Sequence, residues 1–185
     1  ARPCRWSSHP HDVFIVRATG CIIRGIASCT GVYLDQEGPD MQDFPHHYKT
    51  SASARHDSHV DLTSPGLPNL PAAAPAEFGG PGDHWSPETL LSAAVASCFK
   101  LSFKAIARAA KFEWTAIRCD VVAVLERVDK VTQFTEVHQT VILEVPRGSD
   151  EAKAMRLLEK AERSCLVTKS LTGTTRLDAT VRVID

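Results

Sequence analysis

The sequence lacks several features that would assign it to a specialised class of protein. Its 185 residues carry a formal net charge of −1, so no basic surface is expected to attract nucleic acid or anionic lipid. No uninterrupted apolar run approaches the roughly 18 residues of a membrane span. The chain also has no Cys-x-x-Cys or His-x-x-x-His pair of the kind found in zinc sites. We therefore expect no nucleic-acid partner, no membrane partner and no bound metal.

The composition is that of a globular protein, with 43% hydrophobic and 23% charged residues. Six cysteines are present, but secreted disulfide scaffolds are short and loop-rich. Here the later cysteines lie within patterns typical of helices and strands. We therefore predict free thiols and a reducing, cytoplasmic location.

The chain changes character near Met41. Residues 1–40 hold three of the six cysteines and show no sustained periodicity, whereas regular patterns follow. We interpret 1–40 as an N-terminal extension, with Met41 as the native start and 41–185 as the folded domain. A strand hairpin built on Val13–Val16 and Cys21–Ile26 is the alternative for the first segment.

The first half of the domain contains one long helix. Alternation over 46–62 favours one or two short strands, and the Pro- and Gly-rich stretch 64–85 predicts an irregular connection, either a disordered linker or an ordered loop. Ser86 is typical of a helix N-cap and Pro87 of position N1, with the helix continuing to about Ala110.

The second half predicts two long strands, a helix and a final strand. The strands cover 115–128 and 133–145, joined by a tight turn at Asp129-Lys130. Ser149 is expected to cap a helix that ends at Cys165, and 177–184 alternates as the last strand. This order gives an α+β domain.

The long helix is apolar around most of its circumference, because its basic residues share one narrow stripe. A helix of this kind needs packing on several sides, which predicts an intimate homodimer. Cys98 projects about 160° from Lys100 at 100° per residue, so it should face the interior.

Cys98 and Cys165 are candidates for a two-thiol redox centre, since a reactive thiol needs a thiolate form and a nearby second thiol. Cys98 lies too far from the helix N-terminus to use its dipole and would need a cation. Arg55 is the only arginine between Met41 and Arg108, and Glu88 could hold it in a bidentate pair. Each also has a simpler interpretation: inert packing for the cysteines, a solvated turn for Arg55, and dipole compensation for Glu88. Cys119 is interpreted as a core residue.

Two segments resemble motifs of the OsmC/Ohr family of thiol peroxidases. Trp85-Ser86-Pro87-Glu88 through Ala96-Ser97-Cys98-Phe99 resembles the family's Asn/Ser-Pro-Glu … Ala-Cys-Phe helix, and Cys165-Leu166-Val167-Thr168-Lys169-Ser170-Leu171 resembles its second cysteine motif. Leu166 stands where the family usually has proline. The resemblance covers about 46–184 and implies an intertwined α+β homodimer, with the long helix packed on an antiparallel sheet and active sites at the interface.

The resemblance also implies a chemistry. Cys98 would be the peroxidatic cysteine, Cys165 the resolving cysteine, and Arg55 and Glu88 the partners of the thiolate. The expected function is reduction of organic, and also inorganic, hydroperoxides in oxidative-stress defence, through a Cys98 sulfenate and a Cys98–Cys165 disulfide. No bound cofactor is expected, but an external dithiol or lipoyl-type reductant is required. The alternative function is a dimeric binding module with the same fold and no peroxidase activity.

Overall fold

The structure, a computed structural model, describes residues 42–185. The expected extension 1–40 and its alternative hairpin lie outside these residues. The elements, in chain order, are β1 (Ser51–Ala54), β2 (Val60–Thr63), β3 (Leu70–Ala72), α1 (Pro87–Ala109), β4 (Ala116–Val128), β5 (Val131–Pro146), α2 (Glu151–Arg163), α3 (Leu166–Lys169) and β6 (Thr174–Ile184). The α+β class is confirmed.

The large sheet has the strand order β4-β5-β6, with β5 antiparallel to β4 and parallel to β6, so it is mixed rather than the antiparallel sheet that was expected. The tight turn is confirmed: Asp129 and Lys130 have φ of 50° and 67°, the left-handed conformation that a two-residue hairpin needs. Alternate residues of β5 point into one core, where Val141, Leu143 and Val145 are fully buried. This face of the sheet supports the helices.

Helix α1 begins as predicted. Ser86 accepts a hydrogen bond from the Thr89 backbone N–H at 3.2 Å, and the Thr89 hydroxyl accepts one from the Ser86 N–H at 2.8 Å, which completes a capping box. Every fourth residue from Val95 to Ala107 is fully buried, giving one stripe that packs against α2, β4 and α3.

Helix α2 begins one residue later than predicted. Its N-cap is Asp150 rather than Ser149, because the Asp150 carboxylate accepts the Lys153 N–H at 2.8 Å. Ala154, Leu158 and Ala161 are buried on its inner face.

The Pro- and Gly-rich connection is ordered. It contributes β3, which completes a small antiparallel sheet of order β1-β2-β3, and a 3₁₀ turn at Ala76–Phe78. Gly80 lies so close to the Ala74 carbonyl that a Cβ would overlap its oxygen at 1.7 Å. Pro71 is tolerated because β3 is an edge strand and lacks a neighbour on one side. Of the two alternatives for 64–85, the ordered loop is therefore the one observed.

Much of α1 is left uncovered by the other residues of 42–185. Only 22% of its most apolar 18-residue window is buried, and Leu101 is 63% exposed. Although the sequence has no uninterrupted apolar run of that length, α1 is long and apolar enough, by length and composition alone, to cross a membrane. A core helix of a soluble protein meets the same criterion.

Candidate active site

Cys165 lies at a junction between two helices. Helix α2 ends at Arg163, so the prediction that Cys165 ends α2 is wrong: Cys165 is instead the extended N-cap of α3, with φ −68° and ψ 114°. Its carbonyl accepts the Lys169 N–H and the Thr168 hydroxyl, each at 3.2 Å. The side chain is fully buried. The cap geometry fixes the thiol at the start of α3 rather than along α2.

Cys98 lies near the middle of α1 and contacts this junction. It is half-buried within one chain rather than fully enclosed. The backbone of Val167 and Leu166 and the side chains of Cys165 and Ser102 lie near enough to its sulfur to favour the thiolate and lower its pKa. The structure therefore brings the two candidate cysteines together, and both are free thiols.

The surroundings of the two thiols shift their pKa values in opposite directions. Burial raises the pKa of Cys98, but hydrogen bonds from the Val167 backbone and the Cys165 thiol outweigh it, so this pKa lies below its ordinary value. Burial also raises the pKa of Cys165; the hydrogen bonds from Thr168 do not offset it, and the neighbouring Cys98 raises it further. Cys98 is thus the thiol that ionises first.

Cys119 belongs to the core, in agreement with the sequence interpretation. It packs with Phe99, Val141 and Leu158. Burial raises the pKa of its thiol to about 11, which keeps it protonated and unreactive at neutral pH.

Arg55 and Glu88 are not brought to Cys98 within one chain. Arg55 is exposed in the turn that follows β1. Glu88 stands ten residues before Cys98 on the same helix, which corresponds to about 15 Å along the axis at 1.5 Å per residue. One carboxylate oxygen of Glu88, Oε2, is buried and has no hydrogen-bond partner within residues 42–185. Their roles as thiolate partners stay predictions.

A largely apolar cavity of about 590 Å³ opens beside Glu88. One face of the small sheet, the start of α1 and the 3₁₀ turn line it. The lining residues are Ala52, Val60, Leu62, Ala72, Ala73, Ala74, Pro75, Phe78, Pro87, Glu88 and Leu90. Glu88 is the only ionisable group in this lining, so the cavity suits an apolar occupant with one polar end.

The sequence interpretation missed the groups on α3 and α1 that contact Cys98. Ser102 stands four residues after Cys98, a spacing that places two side chains on one helix face and provides a signal for it. The Leu166 and Val167 backbone groups carry no such signal, because they depend on how α3 packs on α1. Within residues 42–185, no three His, Cys, Asp or Glu side chains converge in a way that could hold a metal ion.

The chain is similar to known proteins in sequence and in fold. A family model described as OsmC-like protein matches residues 80–180, which include both cysteines. An uncharacterised Bacillus subtilis protein, YmaD, is 25% identical over 114 residues, covering 59% of this chain and 76% of YmaD.

Solved structures share the fold. One is a Legionella pneumophila protein described as an organic hydroperoxide resistance protein OsmC, with a TM-score of 0.61 and 24% identity over 76% of this chain and 100% of that one. Another is the organic hydroperoxide resistance protein OhrB of Bacillus subtilis, with a TM-score of 0.52 and 21% identity over 74% of this chain and 98% of that one.

Proposed function

Because the chain belongs to the OsmC-like protein family, we propose that it is a cysteine-based peroxidase that reduces organic hydroperoxides in oxidative-stress defence. The observation that carries the proposal is the contact between Cys98, with its lowered pKa, and the buried Cys165 thiol. Two relatives of known structure are described as organic hydroperoxide resistance proteins. A role in redox or peroxide chemistry follows from that membership, and the specific reaction is the proposal.

The reaction begins with the Cys98 thiolate, which attacks the distal oxygen of the hydroperoxide. The O–O bond breaks, the sulfur is oxidised to a sulfenic acid, and the alkoxide leaves as an alcohol after taking a proton. Cys165 then attacks the sulfenic sulfur, which forms an S–S bond and releases water. An external dithiol, such as a lipoyl-type dithiol, reduces the disulfide by exchange and is itself oxidised. No bound metal or organic cofactor takes part.

The opposite pKa directions support this division of roles. The Cys98 pKa is lowered, so a larger fraction of this thiol is the nucleophilic thiolate at neutral pH. The Cys165 pKa is raised, so this thiol stays protonated until Cys98 has been oxidised. Peroxide therefore meets one reactive sulfur first.

We further propose that the active site is completed in a homodimer. If two α1 helices cross antiparallel about a twofold axis midway between Glu88 and Cys98, the Glu88 carboxylate of one copy approaches the Cys98 thiol of the other. The proposal is supported by the uncovered apolar surface of α1 and by the unpartnered Glu88 oxygen. Arg55 would then join Glu88 as a partner of the thiolate and stabilise the leaving alkoxide.

The cavity beside Glu88 supports organic rather than inorganic substrates. In such a dimer it would lie close to the partner's thiolate, and its apolar lining would accept the hydrocarbon part of an alkyl hydroperoxide. Hydrogen peroxide has no apolar part and would gain nothing from this surface. We expect a cytoplasmic enzyme.

Peptide mass spectrometry after one equivalent of an organic hydroperoxide tests the proposal. The expected product is a Cys98–Cys165 crosslink. Cys98→Ser should abolish turnover with a dithiol reductant, whereas Cys119→Ser, the matched control on a core thiol, should retain it. Substantial activity in Cys98→Ser, or peroxide treatment that leaves Cys98 reduced, would contradict the assignment.

A binding module without peroxidase activity is the second candidate. The cavity favours it, because within one chain this apolar space adjoins Glu88 and not the thiols. The same mass spectrometry separates the two, since a binding module has no need to form the crosslink.

A further inference from the structure

Two histidine rings stack between the turn that carries Arg55 and the segment that leads into α1. The rings of His59 and His84 have centroids 5.3 Å apart and planes 25° apart. Each ring is also bonded to an acidic neighbour: His59 Nε2 to Asp61 Oδ1 at 3.2 Å, and His84 Nδ1 to Asp83 Oδ1 at 2.5 Å. Each imidazole is thus held in orientation by ring stacking on one face and by a hydrogen bond at one edge.

The stack joins two segments that are separate in sequence. His59 closes a tight turn from Arg55, in which the Ser58 N–H donates to the Arg55 carbonyl at 3.2 Å and the Ser58 hydroxyl accepts the Arg55 N–H at 3.0 Å. His84 precedes Trp85, whose carbonyl accepts the Ala73 N–H at 2.9 Å. The Arg55 turn is therefore closed internally and is fastened to the entrance of α1 through His59.

Arg55 itself has little else to fix it. It is exposed, and no ion pair to its guanidinium is present within residues 42–185. It lies just beyond the end of β1 and borders a surface hollow together with Ser53, Ser58 and Asp61. A small displacement of this turn would move a long, flexible side chain by several ångströms, and such errors reduce reaction rates strongly.

We propose that His59 and His84 are positioning residues for Arg55: their stacked rings hold the Arg55 turn at a fixed place relative to the first turn of α1. This inference rests on the proposed function, in which Arg55 stabilises the Cys98 thiolate and the leaving alkoxide. Neither histidine touches the reacting atoms; both act through the turn. A metal site is a poor interpretation of the pair, because the in-plane lone pairs of nearly parallel rings do not point at a common atom.

The test uses the full chain and the rate constant for Cys98 oxidation by tert-butyl hydroperoxide, measured by quenching and peptide mass spectrometry. His84→Ala and His59→Ala should each lower it about tenfold, because the turn is released. His84→Phe keeps a ring for stacking and should restore most of the rate. His138→Ala is the matched control, since His138 also bonds an acidic residue two positions away, at 2.7 Å, but lies on β5 outside the stack.

A double-mutant cycle shows whether the stack acts through Arg55. Arg55→Ala should slow Cys98 oxidation, and adding His84→Ala to it should slow the reaction no further. The rate of Cys98 alkylation by iodoacetamide across pH gives a second readout: in the alanine variants its midpoint should move to higher pH, because the thiolate loses its cation.

Three results would contradict the positioning role of the stacked histidines. These are alanine variants in which Cys98 is oxidised as fast as in His138→Ala, a full further loss of rate when His84→Ala is added to Arg55→Ala, or no recovery of the rate in His84→Phe. A wild-type chain whose Cys98 is not oxidised would instead remove the proposed function, and this inference with it. The two failures are distinguishable, because the first leaves the wild-type crosslink intact.

Discussion

The two three-stranded sheets of this chain differ in how much of their apolar surface is covered. The β4-β5-β6 sheet packs under α1 and α2, and its core side chains are fully buried. The β1-β2-β3 sheet has strands of only three or four residues; β1 is exposed throughout, and one face borders the cavity beside Glu88. The thiol pair belongs to the first region, and Arg55 belongs to the second.

This difference explains why one chain assembles only part of the candidate site. Cys98 and Cys165 are held by packing between α1 and α3 that the large sheet supports. Arg55 is exposed and Glu88 borders a cavity that the other residues of 42–185 leave open, so in the proposed dimer a second copy would complete this part of the site. A second copy that covers α1 and the small sheet would remove this difference in covered surface.

The largest expected effect is on the stability of the well-packed region. Phe103 is fully buried and meets Trp114 edge-on, with ring centroids 5.5 Å apart. Phe103→Ala should lower the free energy of unfolding by about 3–5 kcal/mol, since it leaves a cavity in a packed core. Leu62→Ala, on the cavity face of the small sheet, should cost less than about 1.5 kcal/mol, because that face is partly open already.

Denaturant unfolding at several protein concentrations measures both variants. An equal loss for Leu62→Ala that shrinks at low concentration, where the copies separate, would mean that a second copy covers the small sheet as tightly as the large one. The difference in covered apolar surface between the two sheets would then exist only in the isolated chain.

The next effect concerns association. Leu101 is 63% exposed and stands three residues after Cys98 on α1. Leu101→Glu places a charge on the surface that we propose to be the dimer interface, and burial of an unpaired charge is strongly unfavourable. We expect sedimentation to shift from dimer to monomer and Cys98 oxidation to slow at the same time.

Lys104→Glu, on the polar stripe of the same helix, is the matched control and should remain dimeric. If the Leu101→Glu chain stays dimeric and fully active, the dimer interface lies elsewhere, and the Glu88 carboxylate would not approach the Cys98 thiolate of the other copy.

The two regions also differ in how much of their structure the sequence predicts. The capping signals at Ser86-Pro87 and the alternation around Asp129-Lys130 are local, so α1 and the β4–β5 hairpin were predicted almost to the residue. Strand β3 was missed because Leu70-Pro71-Ala72 has no pattern of its own and is defined by its pairing with β2 and by the bridge from Ala72 to Trp85. The break between α2 and α3 at Cys165 was also missed, because the apolar pattern of Cys-Leu-Val-Thr continues across this helix boundary.

The N-cap of α1, Ser86, can be compared with the N-cap of α2, Asp150. Ser86→Ala and Asp150→Ala should each lower the free energy of unfolding by about 1 kcal/mol, because each leaves an N–H at its helix start unpaired. Ser86 also fixes the turn that carries Glu88, so Ser86→Ala should slow Cys98 oxidation as well, whereas Asp150→Ala should not. Equal rates in the two variants would mean that the start of α1 is not part of the active site.

The smallest effect is a shift in pH dependence. The rate of Cys98 alkylation should rise with pH as its thiol ionises, with a midpoint below that of an ordinary thiol, because hydrogen bonds from α3 and Ser102 favour the thiolate. Ser102→Ala removes one of these donors, so the thiolate is less favoured and the midpoint should move to higher pH. Ser97→Ala, beside Cys98, is the matched control and should not move it, because the Ser97 hydroxyl donates to the Ala94 carbonyl at 3.1 Å. A midpoint unchanged in Ser102→Ala would show that the α3 backbone and the Cys165 thiol favour the thiolate without help from Ser102, so that the packing of α1 against the Cys165 junction makes this sulfur reactive.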